Sequence, residues 1–436
     1  MTDITSPPIL DRARLRPAGE RTAAPATDRK QARLVAFSSG LGFLFDAYVV
    51  NIYSFVLPLI VVSFSLSSTA AGVIGSVMLG GYTLGTFAFG WAADRFGRKD
   101  TLGASIVLYG ITTGVSGLAG GAGLFAALRF LTGLGGAGEL SVGVPYTIEA
   151  WPARRRAIGA GGVIFSMYAV GALLALVVAL LVAPGAGWRL PFILAVIPAL
   201  LVWGLRRALR ESIPYEFARV SQSRRGQAGE ARRQARQIFA SPVLRRRLAI
   251  ATLIFIANAV GYWGFLVFLQ KYMLATFNLT FRQSLALTMA FYAAMAVWPF
   301  VGAAAAERFG RRPAAIAGAI TLAVTSILAF STHHLIVFAI AQLFGIGLLG
   351  WTWSVGQTYV AELFPTEVRG TGFGLGVAFG RIPSIGGPVL TGTLIGSIGL
   401  ATIAKCFAVL WVLYIIAFLV GPETRGRSLE ELDAVG

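Results

Sequence analysis

From Leu34 onward the chain alternates long apolar runs with short polar breaks. A helix that crosses a bilayer needs about 20 mostly apolar residues. Runs of that order predict helices over 34–62, 70–93, 101–119, 122–147, 157–183, 189–207, 248–276, 282–306, 313–331, 334–361, 369–396 and 399–420. The pattern therefore reads as an all-α membrane protein with twelve transmembrane helices. One long hydrophilic stretch, 208–247, separates the sixth run from the seventh. Residues 1–33 are rich in Arg, Pro, Ala and Thr and lack the apolar core of a secretory signal, so a disordered cytoplasmic tail is expected there. Residues 421–436 form a second tail.

An internal repeat divides the runs into two sets. Asp94-Arg95-Phe96-Gly97-Arg98-Lys99 returns as Glu307-Arg308-Phe309-Gly310-Arg311-Arg312, an offset of 213 residues. Tyr146, Glu149, Pro152 and Arg156 return at the same offset as Tyr359, Glu362, Pro365 and Arg369. Two separate motifs sharing one offset imply two homologous six-helix bundles, 34–207 and 248–420. The 208–247 linker joins them and, being rich in Arg, Gln and Ala, can form cytoplasmic helices. Parallel halves of this kind place a substrate site at their interface near the bilayer midplane.

Composition agrees and narrows the class. Apolar residues make up 56% of the chain and charged residues 13%, against about 25% in soluble domains. The net charge of +18 suggests nucleic acid until its distribution is read. All but six of the 37 Lys and Arg fall on one side if the helices alternate, the exceptions being Arg129, Arg189, Lys271, Arg282, Arg381 and Lys405. That is the signature of a cytoplasmic side. Both termini and the linker are then cytoplasmic, the basic linker can meet anionic lipid headgroups, and no nucleic-acid partner is expected. A single cysteine, Cys406, and one adjacent pair, His333 and His334, leave no metal site to expect. Gly133-x-Gly135-x-x-Gly138 matches a dinucleotide fingerprint but lies inside an apolar helix, where small residues serve close packing. With no phosphate-binding loop and no nucleophile–base pair, neither an ATP-driven pump nor an enzyme is expected, and no cofactor.

Ionisable groups inside spanning helices are costly, roughly 2.5–3.5 kcal/mol each on insertion scales, and are functional candidates. At ~1.5 Å per residue, Asp46 lies ~18 Å into the first helix, Glu139 ~15 Å from Glu149, and Arg381 ~18 Å from Arg369. All three fall near the midplane, while Arg129 sits nearer the outside. None recurs in the repeat: Asp46 aligns with Ala259, Glu139 with Thr352, Arg129 with Gln342 and Arg381 with Tyr168. A carboxylate in low dielectric loads a proton near neutral pH and releases it when solvated. Arginine stays charged and can hold a carboxylate bidentately. Asp46 and Glu139 are thus candidates for proton coupling, and Arg381 with Arg129 for anchoring an anion. Each has a structural alternative: Asp46 as a partner of Arg129, Glu139 paired with a nearby Arg, Arg381 in a packing ion pair. Tyr48, Asn258, Tyr262, Trp263, Trp351, Trp353 and Gln357 are polar or aromatic candidates to line a pocket and bind substrate. Of the two Trp at i and i+2, one at most faces a ligand.

Gly90-x-x-x-Asp94-Arg95-x-Gly97-Arg98-Lys99 resembles the loop signature of the major facilitator superfamily, and the resemblance covers 34–432. Arg129-x-x-x-Gly133, Tyr146-x-x-Glu149-x-x-Pro152 and Pro422-Glu423-Thr424-Arg425-Gly426-Arg427-Ser428-Leu429-Glu430-Glu431 resemble its sugar-porter and organic-acid branches. The seventh run, with Asn258-Ala259-Val260-Gly261-Tyr262-Trp263, lacks the sugar porters' Gln-Gln pair, and the fifth lacks both their glutamines and the drug antiporters' Gly-Pro signature. Asp46-Ala47-Tyr48-Val49 keeps the first acid and the Tyr of the aromatic-acid symporters' Asp-Gly-Tyr-Asp and loses the second acid. The likeness is therefore to proton-coupled symporters of the aromatic-acid, sialate and nicotinate type. It implies a secondary transporter working by alternating access in a bacterial inner membrane, able to act as a monomer, with protons and a small organic anion, such as an aromatic monocarboxylate, as ligands. It also implies that Asp94, Arg95, Arg98, Glu149 and Arg156, with Glu307, Arg311, Glu362 and Arg369, form a charge network gating the cytoplasmic side. A sugar or polyol symporter, an efflux antiporter and a membrane sensor are the alternatives.

Overall fold

The computed structural model of the protein describes residues 29–66, 68–151, 157–207, 209, 211 and 230–426. The expected tail up to residue 28, residues 212–229 of the linker and residues 427–436 lie outside them. Among the described residues all regular structure is helical. The first half comprises α1 (Arg29–Ser63), α2 (Ser68–Phe96), α3 (Arg98–Ser116) and α4 (Ala122–Gly138). A π-helical turn at Glu139–Gly143 carries α4 into α5 (Val144–Ala150), and a second at Ala157–Val163 leads into α6 (Ile164–Ala186). Then follow α7 (Arg189–Ile193) and α8 (Val196–Arg207). The linker holds α9 (Glu230–Ala240). The second half comprises α10 (Pro242–Phe277), α11 (Phe281–Phe309), α12 (Arg311–Ser331), α13 (Leu335–Leu363), α14 (Arg369–Ile398), α15 (Leu400–Cys406) and α16 (Ala408–Val420).

Among the described residues eight segments are long and apolar enough to cross a membrane. The other four expected spans fall on α3, α4, α10 and α14. The outer faces of other spans carry apolar side chains such as Leu201 of α8, Ile336 of α13 and Val409 of α16, all more than half exposed on the protein and suited to lipid. Helix starts follow local chemistry. Ser241 accepts a hydrogen bond from the Leu244 amide and Pro242 sits in the first turn, so α10 begins six residues ahead of its apolar run. Gly97 and Gly310, with φ of 105° and 110°, make the left-handed turns that open α3 and α12. This is the reason for glycine at the same place in both motif copies. The exposed amides of those two helix starts are taken by Glu211, on Arg98 N at 2.9 Å, and by Glu423, on Arg311 N at 2.9 Å.

Packing repeats as the motifs do. In the first half α1 lies on α6, α2 on α4 and α3 on α8; in the second α10 lies on α14, α11 on α13 and α12 on α16. Two seams join the halves, α2 against α14 and α6 against α11, and they are related by the same offset. Helices α2 and α4 approach closely through glycine. A Cβ on Gly85 would collide with the Leu134 carbonyl, and one on Gly133 with the Met78 carbonyl. Gly135 and Gly138 similarly admit Tyr109 and Ser105 of α3. The three-glycine motif is therefore a packing surface.

Gly85→Val and Gly133→Val should each destabilise the protein by about 1–3 kcal/mol through overpacking. Gly80→Val is the control, because nothing lies within 4 Å of a Cβ there. Apparent melting temperatures in detergent check this: the first two fall and the control does not.

Candidate functional site

A cavity lies between the halves. The first half supplies Phe43, Asp46 and Val50 of α1, Tyr82 of α2, Leu140 and, from α6, Phe165 and Tyr168. From the second half come Tyr262 of α10, Met295 of α11, Trp353 and Gln357 of α13, and Arg381 of α14. Asp46 fits because Gly136 stands opposite it, where a Cβ would lie 2.5 Å from Oδ1. Its Oδ2 accepts a hydrogen bond from the Tyr82 hydroxyl at 2.9 Å. The other face of this assembly is Arg381, whose guanidinium carbon stands 3.9 Å from the centre of the Tyr82 ring. Among the described residues no carboxylate lies within ion-pair distance of Arg381, and its Nε is buried without a hydrogen-bond partner. Both amide atoms of Gln357 and the indole Nε1 of Trp353 are likewise buried and unpartnered. Phe165 and Trp353 stack, with ring centres 5.7 Å apart, to form an aromatic wall. The site thus offers an unpaired cation, an amide and an indole N–H among aromatic faces, with one acid at its edge. A small planar anion matches that set.

Asp46, Tyr262, Trp353, Gln357 and Arg381 of the sequence candidates come together here. The side chain of Trp263 lies outside those described, and the other candidates are placed elsewhere. Trp351 turns to α12, donating from Nε1 to the Ala314 carbonyl at 3.0 Å, so the cavity tryptophan is Trp353. Tyr48 donates to the Pro191 carbonyl at 2.7 Å, and Asn258 accepts from the Thr352 hydroxyl at 2.9 Å. Arg129 is fully buried, with its guanidinium carbon 4.8 Å from the Phe192 ring centre and Nη2 on Ser116 and Thr132. Glu139 is held inside the first bundle by a bidentate pair with Arg206, at 2.8 and 2.6 Å. The Tyr109 hydroxyl donates to it at 3.3 Å, and Gly42 leaves the room for both partners. Arg206 ends α8 near the linker, yet its side chain reaches inward rather than facing water. Tyr82, Phe43, Phe165 and Tyr168 were not singled out by sequence. Their only signal is an aromatic type within an apolar run, which packing side chains share.

The repeated motifs meet at the linker end. Arg98 pairs with Asp94 and with Glu149, the latter at 3.1 Å, and Arg311 pairs with Glu307 at 3.2 Å and Glu362 at 3.1 Å. Contacts cross between the halves here: Arg369 to Glu149 at 3.3 Å, the Thr371 amide and hydroxyl to Asp94 at 2.7 and 2.8 Å, and the Ala157 amide to Glu307 at 2.8 Å. Gln234 of α9 joins the same cluster through Thr371 and the Glu367 carbonyl. Arg95 is exposed, against Trp91 and Phe96. Arg156, the repeat counterpart of Arg369, lies outside the described residues, as does Pro152. At the opposite side of the cavity the Tyr292 hydroxyl reaches Asn51 at 3.3 Å, again across the halves.

Residues 39–298 match the profile of the Major Facilitator Superfamily, and residues 216–435 that of sugar (and other) transporters. The niacin transporter NiaP of Acinetobacter baylyi is 28% identical, over 90% of this chain and 94% of that protein. The cis,cis-muconate transport protein of the same organism is also 28% identical, over 90% and 93%. Among solved structures, the proton:xylose symporter XylE bound to 6-bromo-6-deoxy-D-glucose superimposes with a TM-score of 0.80, covering 93% of this chain and 99% of that one at 20% identity. That likeness is one of fold.

Removing the charge of Glu149 takes one carboxylate partner from each of two buried arginines, Arg98 and Arg369, and breaking a buried pair costs about 3–5 kcal/mol. Glu149→Gln should therefore part the halves at the linker end. Spin labels at positions 95 and 308 in a Cys406→Ser background check this, and a longer inter-label distance is expected.

Proposed function

The chain belongs to the Major Facilitator Superfamily, and from that premise we propose that it takes up a small organic anion together with a proton. It is a multi-pass membrane transporter and not an enzyme. The observation that carries the finer reading is Arg381, a cation in the cavity between the halves with no carboxylate partner among the described residues, beside the buried acid Asp46. Arg381 holds the substrate carboxylate, Gln357 and the Trp353 N–H read its remaining polar edge, and the aromatic wall accepts an apolar or planar body. Asp46 carries the proton. The names of the Acinetobacter relatives, niacin and cis,cis-muconate, support an organic-acid substrate. The linker end is cytoplasmic and its ion pairs form the inner gate, in a bacterial inner membrane. No cofactor takes part, and the monomer suffices. A monovalent anion entering with one proton moves no net charge, and so escapes ~2.3 kcal/mol per charge per 100 mV of opposing potential.

A thermal-shift panel of niacin, benzoate, cis,cis-muconate and xylose at pH 5.5 and 7.5 tests the reading. Ligand at a hundred times its dissociation constant adds ~2.7 kcal/mol of stability. Stabilisation by a carboxylate, greater at pH 5.5, is expected; stabilisation by xylose alone overturns it in favour of a sugar symporter. In proteoliposomes an acidic outer buffer should drive uptake. Asp46→Asn should abolish that pH-driven uptake while sparing exchange of substrate across the membrane. Arg381→Lys, which loses the bidentate fork, should weaken carboxylate affinity roughly tenfold, the effect of ~1.4 kcal/mol.

A further inference from the structure

Tyr82 is the side chain in the cavity that touches both proposed ligand-handling groups. Its hydroxyl donates to Asp46 from one end, and its ring carries Arg381 on a face. Asp46 belongs to the first half and Arg381 to the second, and Tyr82 stands where α2 meets α14, one of the two seams between the halves. All three are buried. The repeat sharpens this. Tyr82 aligns with Met295, which also lines the cavity but can neither donate a hydrogen bond nor offer a π face. Asp46 aligns with Ala259 and Arg381 with Tyr168. Acid, hydrogen-bonding phenol and cation are thus gathered at one seam, where the related positions at the other hold Ala259, Met295 and Tyr168.

We propose that Tyr82 is the positioning residue that couples proton and substrate, its hydroxyl holding Asp46 and its ring holding Arg381. The proposal rests on the preceding assignment of the proton to Asp46 and of the substrate carboxylate to Arg381. While Asp46 is ionised it is an acceptor only, and the phenol is committed to it. Arg381, lacking an ion-pair partner, is held over the ring by a cation–π contact. A proton on Asp46 turns that acid into a donor and frees the phenol to turn toward the carboxylate arriving at Arg381. Proton and substrate then favour each other, and by linkage the effect is reciprocal. The charged and titratable groups around Asp46 and Tyr82 are Arg381 of α14, Tyr168 of α6, and Glu139 of the π-helical turn with its partners Arg206 of α8 and Tyr109 of α3. Glu139 already has Arg206 on both oxygens, so it stays out of the exchange. Beyond Tyr168 lie Tyr262 of α10 and Tyr292 of α11.

The test compares Y82F, which keeps the ring and loses the hydroxyl, with Y82M, which installs the side chain found at the repeat-related position. Binding of niacin and of cis,cis-muconate is measured on the purified full chain at pH 5.5 and 7.5. Y82F should keep its affinity at pH 5.5 within about threefold while the ratio between the two pH values shrinks to about twofold or less. Y82M should weaken binding roughly threefold to tenfold at both pH values, as expected for a lost cation–π contact. A purely structural role lowers affinity in both variants and leaves the pH ratio at its wild-type value; that result overturns the proposal. An unchanged pH ratio in Y82F with normal affinity overturns it too. Should Y82F fail to fold, the pH ratio in Y82M decides in the same way, since it also lacks the hydroxyl. If the wild-type protein itself binds neither carboxylate in a pH-dependent manner, the assignment of Asp46 and Arg381 fails, and this proposal with it.

Discussion

A charge removed from water inside this protein must find its compensation within the chain, and much of the architecture follows from where that compensation is found. Deep in the first bundle, Glu139 and Arg206 satisfy each other on both carboxylate oxygens, and Tyr109 and the Leu102 carbonyl take up further capacity. Such a pair is closed: breaking it strands a buried ion, while keeping it exerts no pull on a ligand. At the linker end Glu149 is shared between Arg98 of its own half and Arg369 of the other. That sharing makes a buried pair into a latch, because the two halves cannot part without leaving one arginine short of charge. Arg129 shows a third solution. It has no carboxylate within ion-pair distance among the described residues, and its cation rests on Phe192 and on two hydroxyls. At the cavity, by contrast, an acid and a cation are placed in the same small volume without meeting.

The parts of this arrangement that depend on position along a helix were legible in the sequence, and the parts that depend on rotation about it were not. Apolar runs and the 213-residue offset define the helices and the repeat, because lipid imposes one length and one polarity on every span. Depth was legible too: Asp46 and Arg381 fall in the cavity that their distance from the helix ends suggests. Depth does not say which way a side chain points. Trp351 and Trp353 lie at nearly the same height, and only packing against Ala314 shows that the first faces away. Glu139 illustrates the same point with a charge. Its depth matches that of Asp46, but it points into the bundle, and the length of the Arg206 side chain supplies a partner that a helix-by-helix estimate leaves at the membrane surface. Tyr82 carries no sequence signal, since a tyrosine in an apolar run packs as readily as it binds.

The scaffold is nearly symmetric, and the chemistry it holds is not. Gly97 and Gly310 make the same turn, Glu211 and Glu423 cap the same helix start, and Arg98 and Arg311 make equivalent pairs with Glu149 and Glu362. Where the first half buries Glu139 against Arg206, the related positions in the second are Thr352 and Leu419. Thr352 there joins a neutral network, donating to Asn258 at 2.9 Å and accepting from the Tyr414 hydroxyl through its carbonyl at 2.7 Å. A symmetric frame supplies two equivalent seams, and so two closed ends that can exchange. The asymmetric interior decides what must be bound before the exchange is easy.

That decision has a simple electrostatic form. On the proposed assignment the empty cavity holds one negative charge, Asp46, and one positive charge, Arg381, and is neutral as a whole. Loaded with a proton and a monocarboxylate it is neutral again. Either ligand alone leaves a net charge: negative with the anion only, positive with the proton only. Closing both ends around a net charge means desolvating an uncompensated ion, which carries a penalty of several kcal/mol in a protein interior. The empty and fully loaded states avoid it, so they cross the occluded state more readily than either half-loaded state. Coupling then starts from charge balance. It requires that the two charges be close enough to count as one neutral unit yet be kept from collapsing into a closed pair of the kind that Glu139 and Arg206 form. The Tyr82 ring and hydroxyl, standing between Arg381 and Asp46, meet that requirement.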